Sequence, residues 1–273
     1  MPQVILDDCT LEYEEFGSGS PLLMLHGSGA NWRLFAPQIE TLGRHHRLII
    51  PHMRGHGNSS PLPPVEYYHH LMADDTWRFM QALWLQPIPV YGESMGALNA
   101  ALLAIRHPEA VSRLIAVCGF SEMPGSNAAW VLKLSNFFFS FFSMEQIKEM
   151  VVAAYKGKDE GDALARRVLT ESICISKETF VQLKTSKFPT FTADLRKIGV
   201  PTLVMGGTGL PFEERGSRGL YRGIPDARLA IFAAGKDPLS ATRQAAHDAL
   251  VLDFLADRPL KAQPGVTVEA HGH

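Results

Sequence analysis

Cysteine is scarce in this chain: three in 273 residues, at Cys9, Cys118 and Cys174, an odd and widely spaced set. That excludes a disulfide framework and a thiol-rich zinc site, and it fits a reducing compartment. Net charge is almost absent as well, at −2 from 26 basic and 28 acidic residues. There is no electrostatic footprint for nucleic acid or an anionic membrane, so neither is expected as a partner. Long apolar runs are missing. The most apolar local stretch, Phe137-Phe138-Phe139-Ser140-Phe141-Phe142, is far too short to span a bilayer. Residues 1–13 lack a basic region followed by an apolar one, so no export signal is expected and the expected location is cytoplasmic. Without a phosphate loop, a dinucleotide fingerprint or a metal-ligand cluster, no cofactor and no metal are expected. The closing Glu269-Ala270-His271-Gly272-His273 has too few histidines for a metal site and reads as a frayed terminus.

What is present is ordinary globular material, 46% hydrophobic and 20% charged. Its length suits one α/β domain with an inserted subdomain. Short β-rich runs occur at 4–6, 11–16, 21–25, 47–50, 88–91, 114–118, 202–205 and 229–232. Several are continuously apolar, as strands buried on both faces of a parallel sheet are. Helical patterns lie between most of them, at 32–42, 72–83, 95–106 and 242–255. Strands alternating with helices predict a mostly parallel twisted sheet flanked by helices. The alternation breaks between 121 and 188, where helical patterns at 128–142, 144–155, 161–174 and 177–187 occur with no convincing strand. That stretch is expected to be a helical lid over the C-terminal ends of the strands, where open α/β sheets bind ligands. The expected division is therefore a core of 1–120 and 189–273 with a lid of 121–188.

Chemistry concentrates where Ile88-Pro89-Val90-Tyr91 runs into Gly92-Glu93-Ser94-Met95-Gly96 and then into a helix. A G-x-S-x-G pattern carries meaning in this strand, turn and helix context. The central residue sits in a strained turn, so its flanks must be small where backbones approach closely. The serine oxygen then stands at a helix N-terminus, where developing negative charge is favoured. A second glycine-rich turn, His26-Gly27-Ser28-Gly29, ends the apolar run Leu22-Leu23-Met24-Leu25.

Together these motifs resemble the α/β-hydrolase fold superfamily, over nearly the whole chain. Further matches are Arg54-Gly55-His56-Gly57-Asn58-Ser59, Met72-Ala73-Asp74-Asp75, Arg106-His107-Pro108-Glu109 and Val200-Pro201-Thr202-Leu203-Val204. The resemblance implies that Ser94 is the nucleophile and that the amides of Ser28 and Met95 form the oxyanion hole. His26 would hold the turn rather than do chemistry.

The same resemblance exposes two departures. The family's acid should follow the strand after the lid, but Gly206-Gly207-Thr208-Gly209-Leu210-Pro211-Phe212 offers only Leu210 or Gly209 there. The family's histidine should stand in an Ala-Gly-His turn, but Ala234-Gly235-Lys236-Asp237-Pro238 places Lys236 at that position. His52 likewise replaces an aspartate expected after the third core strand. Glu122 is a candidate relocated acid at the lid entrance, though a solvated residue is the commoner outcome there. Glu213 and Glu214 read as acids starting a helix, His247 as solvent-facing, and His69 and His70 as surface residues near the pocket mouth. Lys236, desolvated beneath an apolar lid, is the candidate base for Ser94, with Asp237 as a partner that would keep it charged.

Three functions compete. The first is hydrolysis of a small, mostly apolar ester, lactone or related acyl compound by Ser94 with a degenerate triad. The second is a non-hydrolytic isomerase, epimerase, lyase or cyclase that uses the oxyanion hole for an enolate. The third is a pseudoenzyme that binds an apolar ligand against lid aromatics such as Trp130. Oligomeric state is left open.

Overall fold

The computed structural model describes residues 1–85, 87–122, 141–157 and 159–271. Trp130 and nearly all of the helix expected over 128–142 lie outside the described residues. Nine strands form one sheet: β1 (Gln3–Ile5), β2 (Thr10–Phe16), β3 (Ser20–Leu25), β4 (His46–Pro51), β5 (Ile88–Glu93), β6 (Val111–Val117), β7 (Thr202–Gly207), β8 (Ala227–Phe232) and β9 (Val266–Ala270). Their order is β1-β2-β4-β3-β5-β6-β7-β8-β9, parallel from β4 to β8 and antiparallel at both ends. Residues of β3 alternate between two cores: Leu23 and Leu25 join one, Leu22 and Met24 the other. All four are fully buried. A strand packed on both faces has to be apolar throughout, which is why this run shows no polar alternation.

Helices α1 (Ala36–Thr41), α2 (Tyr68–Ala82) and α3 (Met95–Arg106) belong to the first half of the sheet. After β7 come α7 (Pro211–Gly223), α8 (Leu239–Thr242) and α9 (Gln244–Leu255). Between β6 and β7 the chain departs into α4 (Met144–Ala153), α5 (Glu160–Ser172) and α6 (Lys177–Thr185). Each opens on a side-chain cap: Ser143 in a capping box with Gln146, then Asp159, then Ser176. These caps satisfy amides that have no acceptor within the helix. Among the described residues no helix is long and apolar enough to cross a membrane.

The C-terminal segment corrects one expectation. Residues 266–270 form β9, which pairs antiparallel with β8 in the register Ala230↔Val268. His271 continues it, stacked on Tyr221 at 4.2 Å between ring centroids, with Nε2 2.8 Å from the Tyr221 carbonyl. An edge strand with few apolar residues carries little hydrophobic signal, so pairing to β8 decides its structure rather than its own pattern.

Candidate active site

Ser94 stands at the end of β5 with φ 56° and ψ −118°, a left-handed conformation that a non-glycine residue rarely adopts. The strain is held by close packing on either side. A Cβ at Gly92 would lie 2.1 Å from the Gly96 carbonyl oxygen, and one at Gly96 would lie 1.9 Å from that of Leu25. Both positions admit only glycine. The second turn sits against the first, since a Cβ at Gly27 would reach 3.4 Å from Ser94 Cβ. Ser28, Ser94 and Met95 share the wall of one cavity of about 870 Å³. Its apolar side includes Leu98, Leu102, Phe120 and Phe188, the last two stacked with centroids 5.0 Å apart.

Two buried histidines support the Gly27–Gly29 turn, and a third stands near them. His26 Nδ1 lies 2.9 Å from the Gly27 carbonyl, and its Nε2 accepts the Met53 amide at 3.1 Å. His56 Nε2 accepts the Gly29 amide at 3.0 Å. His52 is also buried, its Nδ1 2.9 Å from Glu12 Oε2 and its Nε2 accepting the Trp32 amide at 3.4 Å. Burial lowers the pKa of all three, that of His56 to about 4. Neutral rings can accept from backbone N–H groups, which is what this scaffold asks of them. The inserted helices dock on the same turn. Cys174 donates its amide to the Gly29 carbonyl at 2.9 Å, and Ile175 bridges His56.

The loop after β8 is where placement and sequence alignment part. Lys236 has its ammonium on Asp162 of α5, with Nζ 3.0 Å from Oδ1 and 5.2 Å from the centre of the Tyr155 ring. The expected Lys236–Asp237 pairing does not form, because Asp162 takes the ammonium. It is the carboxyl of Asp237 that lies beside the Ser94 side chain, near enough for the hydroxyl to favour its charged form. Tyr155 donates its hydroxyl to the Asp237 carbonyl, and Thr242 Oγ1 donates to that of Lys236 at 2.7 Å. The loop is thus gripped from both the insertion and the core.

Two further carboxyls surround that contact. Glu213, in the first turn of α7, is buried, and its Oε1 accepts the Asp237 amide at 3.3 Å. It does start a helix, but its carboxyl turns inward, and Oε2 has no partner among the described residues. Glu93, fully buried beside Ser94, accepts from the Ser240 amide at 2.9 Å and from Ser240 Oγ at 2.5 Å. Burial, and then the Glu93 charge, push the Asp237 carboxyl well above the usual aspartate range; the Ser94 hydroxyl opposes the shift. Burial raises Glu213 to about 7, and it raises Glu93 against the pull of His247 and Ser240. Like charges this close, poorly solvated, favour keeping protons within the cluster.

The remaining candidates lie elsewhere. Glu122 is exposed, accepts from Thr192 Oγ1 at 3.4 Å, and lines a separate cavity of about 230 Å³. His247 is fully buried rather than solvent-facing, with Nε2 3.0 Å from the Tyr91 hydroxyl and Nδ1 2.8 Å from Asp248 Oδ1. Polar residues that satisfy one another inside a helix–sheet contact look like a wet face in sequence. His69 is buried too, its Nδ1 2.8 Å from Asn99 Oδ1, and both it and His70 line the cavity.

The family model for the alpha/beta hydrolase fold matches residues 20–239. A 2-hydroxymuconate semialdehyde hydrolase from a Pseudomonas species is 34% identical over 138 residues, 47% of this chain and 48% of that protein. The match thus spans about half the length of that relative. The 2-hydroxy-6-oxononadienedioate/2-hydroxy-6-oxononatrienedioate hydrolase 2 of Pseudomonas putida is 27% identical over 91% of this chain and 92% of its own. Among solved structures, the enol-lactonase from Burkholderia xenovorans is similar in fold, with TM-score 0.75 at 22% identity over 93% of this chain and 100% of that one. A thermophilic esterase from Thermogutta terrifontis gives TM-score 0.78 at 20% identity over 94% and 99%. Matched over most of its length, this chain belongs to the α/β-hydrolase fold family.

Proposed function

We propose that this protein hydrolyses a small, mostly apolar acyl compound, an ester, lactone or enol-type relative of these, with Ser94 as nucleophile and Asp237 as the base that serves it. The observation that carries the reading is a strained elbow that sets Ser94 in the cavity wall with the Asp237 carboxyl beside it. Hydrolase activity on small molecules in the relatives supports the reaction class. A carboxylate raised in pKa is a stronger base than a free aspartate, which a hydroxyl nucleophile requires.

In this scheme the Ser94 oxygen attacks the acyl carbon while its proton passes to Asp237. The carbonyl oxygen, now negative, accepts from the Ser28 and Met95 amides. That of Met95 opens α3 and has no acceptor within the helix. Asp237 then returns the proton to the leaving group; water attacks the acyl-serine as Asp237 takes its proton, and that proton goes to the Ser94 oxygen as the acid departs. Glu213, through the Asp237 amide, is a positioning residue. Lys236 anchors the loop through Asp162 and takes no proton.

A second reading draws on the same raised carboxyl. A protonated Asp237 beside the oxyanion donors suits proton return to an enolate, without an acyl-serine. The two separate on mixing with p-nitrophenyl acetate. The hydrolase reading expects a burst of p-nitrophenolate equal to the enzyme concentration, lost in Ser94→Ala. Turnover without Ser94 dependence contradicts it.

A further inference from the structure

The cavity that holds Ser94 is walled by several charged side chains, and all but one are neutralised where they stand. Arg106 is held by Asp74 through two hydrogen bonds of 2.8 and 2.7 Å. Lys187 pairs with Glu66 at 2.5 Å, and Asp194 with Lys197 at 2.8 Å. His69 and His70 are lowered in pKa by burial and are neutral near pH 7. Lys184 is the exception. It stands in the last turn of α6, lines the cavity, and has no carboxylate partner among the described residues. Its Nζ lies over the face of Phe180, 5.6 Å from the ring centre. The side chain keeps access to the cavity, yet surrounding protein strips enough water to lower its pKa.

Ser94 lines the same cavity in a different setting, with the Asp237 carboxyl beside it and Glu213 on the Asp237 amide. Leu98, Leu102, Phe120 and Phe188 give that cavity an apolar wall. From this arrangement we infer that the cavity takes a substrate carrying a carboxylate, bound on the Lys184 ammonium, with its apolar body on the Phe120–Phe188 wall and its reacting carbonyl directed to Ser94. A single ammonium suits one carboxylate; a phosphate dianion calls for several converging donors. Because the Lys184 pose gives the carboxylate a counter-charge, that contact sets orientation as well as affinity.

This inference deepens the hydrolase reading, yet its test need not depend on turnover. Calorimetric titration of the Ser94→Ala protein with cinnamate and with the isosteric neutral cinnamamide compares one carboxylate with one amide. The expected result is cinnamate bound at least about tenfold more tightly, as a charge-assisted contact in a poorly solvated wall should give. In Ser94→Ala/Lys184→Met that ratio should fall to within about twofold, while Ser94→Ala/Lys184→Arg keeps most of it. Equal binding of the two probes to Ser94→Ala overturns the inference, and so does a ratio that survives in the methionine variant with its melting temperature unchanged. The p-nitrophenyl acetate burst reports on the hydrolase reading alone, so failure of either is told apart from failure of the other.

Discussion

Asp237 reaches Ser94 while Lys236, one residue earlier, reaches Asp162 of the inserted helices. The two side chains leave the loop in different directions. The ammonium has a carboxylate and the Tyr155 ring to go to, and the carboxyl is left with a hydroxyl. Asp237→Asn should therefore lower ester turnover by ~10²–10⁴-fold, the range for loss of a general base. Steady-state kinetics against the parent protein check this.

Lys236→Met should behave differently. Removing the ammonium strands Asp162, which is mostly buried, and should cost ~1–2 kcal/mol of stability. The rate at which Ser94 reacts should change far less than in Asp237→Asn. Thermal melts together with burst kinetics separate the two effects; a Lys236→Met protein as slow as Asp237→Asn would return the proton-accepting role to the lysine.

Glu213 links pH to stability. Its carboxyl is raised to about 7 in the fold, against about 4.3 for an unperturbed glutamate. Between those values the folded state holds the proton that the unfolded state has released. Stability is therefore full below the lower value and declines as pH rises to the upper one. Glu213→Gln removes the ionisation, so denaturant midpoints of parent and variant should diverge in the variant's favour as pH rises from 5 to 8. A parent midpoint that climbs across that window contradicts the buried carboxyl.

Gly96 tests the elbow's packing. Any Cβ there collides with the Leu25 carbonyl oxygen, 1.9 Å away and part of β3. Backbone cannot yield as a side-chain tip does, so Gly96→Ala should cost ~3 kcal/mol or more, or fail to give folded protein. Circular dichroism melts decide it.

Much of this arrangement was legible beforehand. Continuous apolar runs marked β3 and β5 because strands buried on both faces have no polar side, and α3 was bounded at Met95 and Arg106 by the glycine turn and by His107-Pro108. The elbow and its neighbouring turn were legible for a similar reason: their glycines are dictated by backbone contacts closer than any side chain allows. The base was not. Lys236 occupies the aligned position, and which of two adjacent residues turns inward depends on Asp162, 74 residues away along the chain. The motif gave no role to Glu93, whose carboxylate is held by Ser240, far along the chain. His247 and His69 looked wet because their partners, Tyr91 and Asn99, are likewise distant in sequence. Residues 266–270 gave no strand pattern, since β8 supplies the order.

The central claim is that Asp237 activates Ser94, and labelling by a fluorophosphonate tests it most directly. Intact mass measured over time, at several pH values, should show one label per chain in the parent and none in Ser94→Ala. The rate should rise with pH as Asp237 loses its proton, above the range of an ordinary aspartate, and should collapse in Asp237→Asn. Parental labelling rates in Asp237→Asn would contradict the account and place the base elsewhere.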